Sequence, residues 1–441
     1  SGASLQMVVG GYVVAYAMLL ITGARLGDLF GRRRMFQTGV IVFTLASLGC
    51  GFAPDTALLI AFRFIQGGGA AVMVPQIISV IQTLFTGEAR TKALSTYGVV
   101  LCSGAVVGMV VGGVLVSANL FGSSWRPVFL VNVPIGVLLA LAVPRYVPAD
   151  TPVASRKLDV VGLITATASV FLIVLPLILG HEESWPAWTF VSIVVGVLLA
   201  ALFVRIERRV ADSGGDPLLA LDVLRSNGLG SGISTLFCMA LTYGGVLFIV
   251  TLHLQDGLGY SALRTGLTYI ALSGTTGLAA YYWRRIPARL QHLIPPSAMT
   301  LCVLGYLGLA LAVRGGGAGT LLYVALAFAG VGQGLTMSPV MALSLVDVPL
   351  KRAGDASGLL TTTLQLGSVT GVAVFGSVFL SLARHSGPHP SASALAVTLT
   401  AGLATTAVVG TFAAASLSRA VVQARRRAAI AAQPAAQPNN A

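Results

Sequence analysis

Thirteen long apolar runs constrain the fold of this chain more than any other feature of its sequence. Each run is close to the ~20 residues that a helix needs to cross the hydrocarbon core of a bilayer. Only 9% of the residues are charged and the mean hydropathy is +0.88, whereas soluble domains are about 25% charged. The sequence therefore predicts an all-α integral membrane protein with spans at 5–24, 36–53, 57–85, 94–117, 126–144, 159–180, 187–205, 229–253, 262–283, 294–313, 319–345, 356–382 and 394–418.

The basic residues divide unequally between the two sides of that membrane. If the first run crosses from outside to inside, most of the 27 Lys and Arg residues fall in the inside loops, as is typical of cytoplasmic loops. This pattern predicts a multi-pass protein of the bacterial inner (plasma) membrane with a cytoplasmic C-terminus. It also explains the net charge of +13 without nucleic acid as a partner. We find no metal-ligand cluster, nucleophile motif or phosphate-binding loop, so we predict neither an enzyme nor a metal or cofactor site.

Two distant segments of the chain resemble each other. "GGAAVMVP" (68–75) and "GQGLTMSP" (332–339) share glycine, methionine and proline at the same offsets. Each precedes a basic inside loop and then a span with spaced glycines. The glycines are Gly104, Gly108 and Gly112 after the first copy, and Gly367, Gly371 and Gly376 after the second. Parallel repeats of this kind are typical of transporters with a site between the two halves, although coincidence in a glycine-rich chain remains an alternative.

Three motifs follow one another in the first part of the chain. They read "GARLGDLFGRRRMF" (23–36), "LIAFRFIQGGGAA" (59–71) and "GAVVGMVVGG" (104–113). Arg63 in the second motif lies within a span, where a charge indicates a functional site unless it reaches the interface. The glycines of the third motif share one helix face, which favours close helix approach. Together these motifs resemble the major facilitator superfamily, and more narrowly its fourteen-span drug:proton antiporter family.

The resemblance implies an architecture. It consists of two six-helix bundles plus a central helix pair, with the first helix of the family missing from the thirteen visible spans. The implied divisions are an N-terminal bundle (1–144), linkers with the central pair (145–227), a C-terminal bundle (228–418) and a disordered cytoplasmic tail (419–441).

The resemblance also implies roles for individual residues. A conformational latch in the first inside loop would comprise Asp28, Gly31, Arg32, Arg33 and Arg34. Proton coupling would involve Arg63, Gln66 and Gly67. The antiporter motif would pack through Gly104, Gly108, Gly112 and Gly113, with Met109 in place of the usual proline. Candidate cavity-lining residues, chosen as polar, aromatic or methionine side chains on the spans, are Gln76, Asn132, Phe237, Tyr243, Met337 and Gln365.

These features predict a monomeric secondary transporter that exports drugs, antibiotics or hydrophobic metabolites in exchange for protons by alternating access, and so confers antibiotic or multidrug resistance. Its substrates are expected to be small and amphipathic or hydrophobic. No carboxylate lies in the middle of a predicted span. His253, at the outer end of a span, is either a protonatable group of the transport cycle or a structural residue. Two alternatives stay open, namely an uncoupled or import-direction facilitator and a truncated remnant that does not transport.

Overall fold

The computed structural model describes most of the chain. The described residues are 2–119, 122–150, 159–180, 185–213, 215, 217–218, 228–287, 289–313, 319–345, 348, 353–383 and 390–431. Within these ranges the regular structure is helical and contains no strand. The α-helices are α1 (Gly2–Phe30), α2 (Arg32–Phe52), α3 (Thr56–Leu84), α4 (Gly87–Ala118), α5 (Pro127–Leu130), α6 (Asn132–Tyr146), α7 (Val160–Leu179), α8 (Ala187–Asp212), α9 (Leu229–Leu252), α10 (Ala262–Thr268), α11 (Ile270–Tyr282), α12 (Ile294–Val313), α13 (Thr320–Ser344), α14 (Ala353–Ala383) and α15 (Pro390–Ala431).

All thirteen predicted spans coincide with helices. Among the described residues, ten helical segments are long and apolar enough to cross a membrane. The other three predicted spans lie on α4, on the α10–α11 pair and on α15. Large apolar side chains such as Leu138, Leu141 and Phe412 face outward, as expected where lipid rather than water surrounds the helices. The all-α membrane fold predicted from the sequence is therefore confirmed.

The two repeat segments have equivalent neighbours. Helix α3, which carries the first copy, packs against α1 and α2, and helix α13, which carries the second, packs against α11 and α12. Glycines allow the close approach on both sides. A Cβ atom on Gly67 would overlap the carbonyl oxygen of Tyr12 on α1, and one on Gly330 would overlap the carbonyl oxygen of Leu272 on α11.

A seam joins the first helices of the chain to the later ones. Helix α1 contacts α14, and α4 contacts α10 and α11. Helix α7 of the central pair packs against both α1 and α8. Val14 of α1, Val170 of α7 and Val369 of α14 belong to one buried cluster, so α7 covers the α1–α14 contact. The domain boundaries given above stay a prediction.

The end of the chain differs from the prediction in one respect. Helix α15 continues to Ala431, so residues 419–431 are helical although we expected the tail from 419 onward to be disordered. Alanine and arginine, which dominate this segment, are strong helix formers, and composition alone did not separate a helical extension from a disordered tail. Residues 432–441 lie outside the described part of the chain.

Candidate functional site

The predicted latch lies at a sharp turn between α1 and α2. Gly31 has a φ of +91°, a conformation that side-chain-bearing residues rarely adopt. The turn brings Arg32 next to Asp28, with 3.4 Å between Nη2 and Oδ1. Both side chains are about one-fifth exposed, at 21% and 20%, which places the ion pair at the edge of the protein.

A second carboxylate, from the segment after α6, holds the same turn. The backbone N–H of Arg32 donates to Oδ2 of Asp150 at 2.7 Å, and that of Arg33 donates to Oδ1 at 3.2 Å. A carboxylate at the N-terminus of a helix satisfies unpaired N–H groups and interacts favourably with the helix dipole. Asp150 is therefore part of the site, although the motif-based prediction did not include it.

A cavity of about 310 Å³ adjoins this turn. Its lining residues come from α1, α2, α3 and the segment after α6, and are Gly27, Asp28, Arg32, Val80, Thr83, Leu84, Pro148, Ala149 and Asp150. The side chain of Arg34, the last member of the predicted latch, is exposed. The structure thus brings Asp28, Gly31, Arg32 and the backbone of Arg33 together around Asp150.

Arg63 lies in a polar and aromatic cluster inside the first helices. Its Nε donates to the carbonyl oxygen of Val8 at 2.8 Å, and its Nη1 donates to Oε1 of Gln66 at 2.8 Å. The guanidinium carbon is 4.6 Å from the centre of the Tyr12 ring, which is cation–π geometry. Gln66 in turn donates to Ser47 Oγ at 2.6 Å. No carboxylate of the described residues forms an ion pair with Arg63.

A direct hydrogen bond crosses the seam between α1 and α14. Nε2 of Gln365 donates to the hydroxyl oxygen of Tyr16 at 2.6 Å. The Tyr16 ring stacks on the Tyr12 ring, with 6.0 Å between centroids and 11° between planes. Because Tyr12 also lies under the Arg63 guanidinium, contacts run from the seam to the charge inside the membrane-spanning helices.

Comparisons with known families and proteins agree with this architecture. The sequence model described as "Major Facilitator Superfamily" matches residues 1–372. The chain belongs to the Major Facilitator Superfamily. The probable actinorhodin transporter of Streptomyces coelicolor is 36% identical over 386 residues, covering 86% of this chain and 66% of that protein. The cephamycin export protein CmcT of Amycolatopsis lactamdurans is 36% identical over 388 residues, covering 85% and 77%.

The puromycin resistance protein pur8 of Streptomyces alboniger is 33% identical over 392 residues, covering 86% of this chain and 75% of that protein. The chain thus spans 66% to 77% of the length of these three relatives. Among solved structures, the human organic anion transporter MFSD10 (TETRAN) superposes with a TM-score of 0.61 at 17% identity, covering 92% of this chain and 83% of that one. The proton:xylose symporter XylE superposes with a TM-score of 0.56 at 12% identity, covering 91% and 94%. These two similarities show a shared fold.

The predicted cavity-lining residues of this superfamily member lie in different surroundings. Gln76 is 1% exposed, and its Nε2 donates to the carbonyl oxygen of Gly23 at 2.7 Å. It therefore joins α3 to α1. Tyr243 and Met337 pack against two separate apolar clusters. Asn132 is the first residue of α6 and is partly buried, and Phe237 is a partly buried residue of α9. Of the six, Gln365 contacts the Tyr12–Tyr16 pair through its hydrogen bond to Tyr16.

The glycines of the third motif also differ from one another. A Cβ atom on Gly113 would lie 2.8 Å from the backbone nitrogen of Leu263, so this glycine allows α4 to approach α10. No described atom lies within 4 Å of such a Cβ atom on Gly104, Gly108 or Gly112. On α14 the equivalent face is covered, because a Cβ atom on Gly371 would overlap the carbonyl oxygen of Leu241 on α9. Close helix packing through the motif is thus seen at Gly113 alone among its four predicted glycines.

Proposed function

We propose that this protein exports small amphipathic or hydrophobic molecules, including antibiotics and drugs, in exchange for protons by alternating access. Membership of the superfamily and the names of relatives that export cephamycin or confer puromycin resistance support this proposal. The observation that carries it is the Tyr16–Gln365 hydrogen bond across the α1–α14 seam. Alternating access requires two helix groups that move against each other around a site between them.

The chemistry of this seam suits such substrates. The aromatic faces of Tyr12 and Tyr16 offer apolar contact area, and Gln365 supplies an amide that can donate and accept. Mostly apolar sites with a few polar groups are typical of small-molecule binding. A substrate hydroxyl or carbonyl that replaces one partner of the Tyr16–Gln365 hydrogen bond would weaken the contact between α1 and α14. Substrate binding would then favour movement of these two helices relative to each other.

The turn between α1 and α2 would control whether the cytoplasmic ends of the helices lie together or apart. Asp28, Arg32 and Asp150 hold the start of α2 against the end of α6 through charge-assisted contacts. We propose that these contacts, with Gly31, Arg33 and Arg34, form a latch that stabilises one conformation of the transport cycle. Arg63, Gln66 and Gly67 are proposed to take part in proton coupling, because charged residues within spans often mark the pathways of ions and protons.

The proposal includes a location and an orientation. The excess of Arg and Lys in alternate loops supports a multi-pass membrane protein with a cytoplasmic C-terminus. The bacterial sources of the relatives support a location in the bacterial inner membrane. We propose that the protein works as a monomer.

Transport into inside-out membrane vesicles tests this function. Ethidium uptake is followed by fluorescence in vesicles whose lumen is acidified, with and without a protonophore. Exchange predicts rapid uptake that requires the pH gradient and stops when the protonophore is added. Equal uptake with the gradient collapsed would instead indicate a facilitator, and uptake no faster than in vesicles without the protein would contradict export of this cation.

A further inference from the structure

A buried histidine lies where α9 meets the start of α15. His253 is 1% exposed and is the first residue of a π-helical turn, His253–Gly257, that follows α9. Its Nδ1 is 3.2 Å from Oγ of Ser391 on α15. Its Nε2 is buried and has no hydrogen-bond partner among the described residues. Among the described residues, the imidazole therefore forms a hydrogen bond through only one of its two ring nitrogens.

The surrounding backbone leaves little room for adjustment. A Cβ atom on Gly257 would lie 3.1 Å from His253 Nδ1 and would overlap Ser391 Oγ. The glycine therefore lets the turn approach α15 closely around the histidine. Single π-helical turns are rare and occur frequently at functional sites, and this one shapes the histidine's surroundings.

Protonation conflicts with this packing. A neutral imidazole has one N–H donor and one acceptor, whereas the imidazolium has two donors. The Ser391 hydroxyl can form a hydrogen bond with Nδ1 in either form, because it can donate or accept. The imidazolium, however, would also carry a buried N–H at Nε2 that has no acceptor among the described residues. An unsatisfied buried donor is costly, and more so when it is charged. Proton uptake should therefore favour separation of the turn from α15, which lets water reach Nε2.

We propose that His253 is a proton-binding site of the transport cycle, whose protonation releases the contact between the His253–Gly257 turn and α15. This inference rests on the proposed function. The loop charges place this end of α9 outside, which is the side from which an exchanger takes up protons. Imidazole is the side chain whose charge ordinarily changes between about pH 5 and 8. Proton binding and opening of this end would then be one linked equilibrium.

Among the described residues, the other charged groups near His253 lie at the exposed edge of this region. Asp256 on the turn itself is exposed. Arg264 on α10 is exposed and lies over the Tyr260 ring at 3.7 Å. Tyr269, between α10 and α11, is buried and donates its hydroxyl to the carbonyl oxygen of Leu247 at 2.8 Å. The described start of α15, residues 390–396, contains no charged residue. Among the described residues, burial and the Ser391 contact therefore dominate the surroundings of His253.

Hydrogen–deuterium exchange tests the site independently of transport. The purified protein in detergent is compared at pH 7.5 and pH 5.5, after correction for the intrinsic pH dependence of amide exchange. We expect residues 253–260 and the start of α15 to lose protection at the lower pH in the unaltered protein. His253→Gln should abolish that difference, whereas His292→Gln, which changes a histidine at the other end of these helices, should leave it intact. Equal protection at both pH values in the unaltered protein would overturn the proposal.

Ser391→Ala supplies a second variant in case His253→Gln does not fold. It removes the hydrogen bond of the packed form and retains the histidine, so the packed form loses stability relative to the open, protonated form. The loss of protection should then move to higher pH. An unchanged or lower midpoint in Ser391→Ala would overturn the linkage.

Transport separates this inference from the proposed function. In inside-out vesicles, the dependence of ethidium uptake on luminal pH should flatten in His253→Gln, while ethidium counterflow without a pH gradient continues. A wild-type dependence on luminal pH in His253→Gln would overturn the role in transport. If the unaltered protein shows the exchange difference but no gradient-driven uptake, proton-coupled export fails while the proton-binding site stands.

Discussion

At the residue scale, Asp28 and Asp150 both contact the start of α2, but the sequence predicted a role only for Asp28. Asp28 and Arg32 belong to one local motif, so the sequence alone was enough to place both in the predicted latch. Asp150 lies 118 residues from Arg32, and nothing in its own neighbourhood, "VPAD", indicates a partner. Its role depends on how α6 ends relative to α2, which is a property of the tertiary structure.

The first prediction concerns Asp28. Replacement by asparagine removes the charge of the ion pair with Arg32 while retaining its shape, and the variant should still insert into the membrane. If the pair stabilises one state of the cycle, gradient-driven ethidium uptake in inside-out vesicles should fall about fivefold or more. Undiminished uptake at equal protein level would contradict the latch.

The second prediction concerns Asp150. Asp150→Ala removes two charge-assisted bonds to the start of α2, and the side chain is exposed, so the loss should be about 1–2 kcal/mol of stability. Thermal melting in detergent measures it. Asp212→Ala is the matched control, because this carboxylate lies in the last turn of α8, where a negative charge is unfavourable. A melting temperature unchanged in Asp150→Ala, or lowered equally in Asp212→Ala, would contradict this role.

At the element scale, the apolar runs predicted where the helices lie but did not predict where two of these helices are interrupted. All thirteen runs became helices because about twenty apolar residues in lipid must satisfy their own backbone hydrogen bonds. The run 126–144 is interrupted at Val131 and the run 262–283 at Tyr269. Tyr269 is buried and bonded to Leu247, so this interruption accompanies a contact with another helix, which the composition of the run does not reveal.

Two adjacent glycines on α3 give the third prediction. A Cβ atom on Gly67 would overlap the Tyr12 carbonyl oxygen and lie 3.0 Å from Ala15 Cβ, whereas one on Gly68 would meet only Leu19 Cδ1 at 3.4 Å. Gly67→Ala should therefore force α1 and α3 apart and reduce stability by about 1–3 kcal/mol. Gly68→Ala should be neutral, or stabilise by up to about 1 kcal/mol through its helix propensity. Equal melting temperatures of the two variants would contradict the close α1–α3 contact.

At the scale of the whole molecule, the motifs identified the superfamily but not the contact between α1 and α14. Gln365 was selected because it is polar and lies on a span. Its partner Tyr16 is 349 residues away and belongs to no motif. The pairing depends on how α14 lies against α1, which no local pattern encodes.

A double-mutant cycle across the seam gives the fourth prediction. Tyr16→Phe and Gln365→Leu each remove one partner of the hydrogen bond. The free energy of unfolding lost in the double variant should be about 1 kcal/mol smaller than the sum of the losses in the two single variants. Melting temperatures and denaturant midpoints measure the coupling. Tyr323→Phe, at a half-exposed tyrosine on α13, should show no coupling to Gln365→Leu. Additive effects of Tyr16→Phe and Gln365→Leu would contradict a bond that stabilises the seam.

Proton movement driven by substrate is the most direct test of exchange. Proteoliposomes are loaded with ethidium at equal pH on both sides and diluted into ethidium-free medium, and the internal pH is followed with a trapped dye. Proton exchange predicts that ethidium efflux acidifies the lumen, and that a protonophore abolishes the pH change without stopping efflux. Efflux at the same rate with no pH change in intact, ion-tight vesicles would contradict proton exchange.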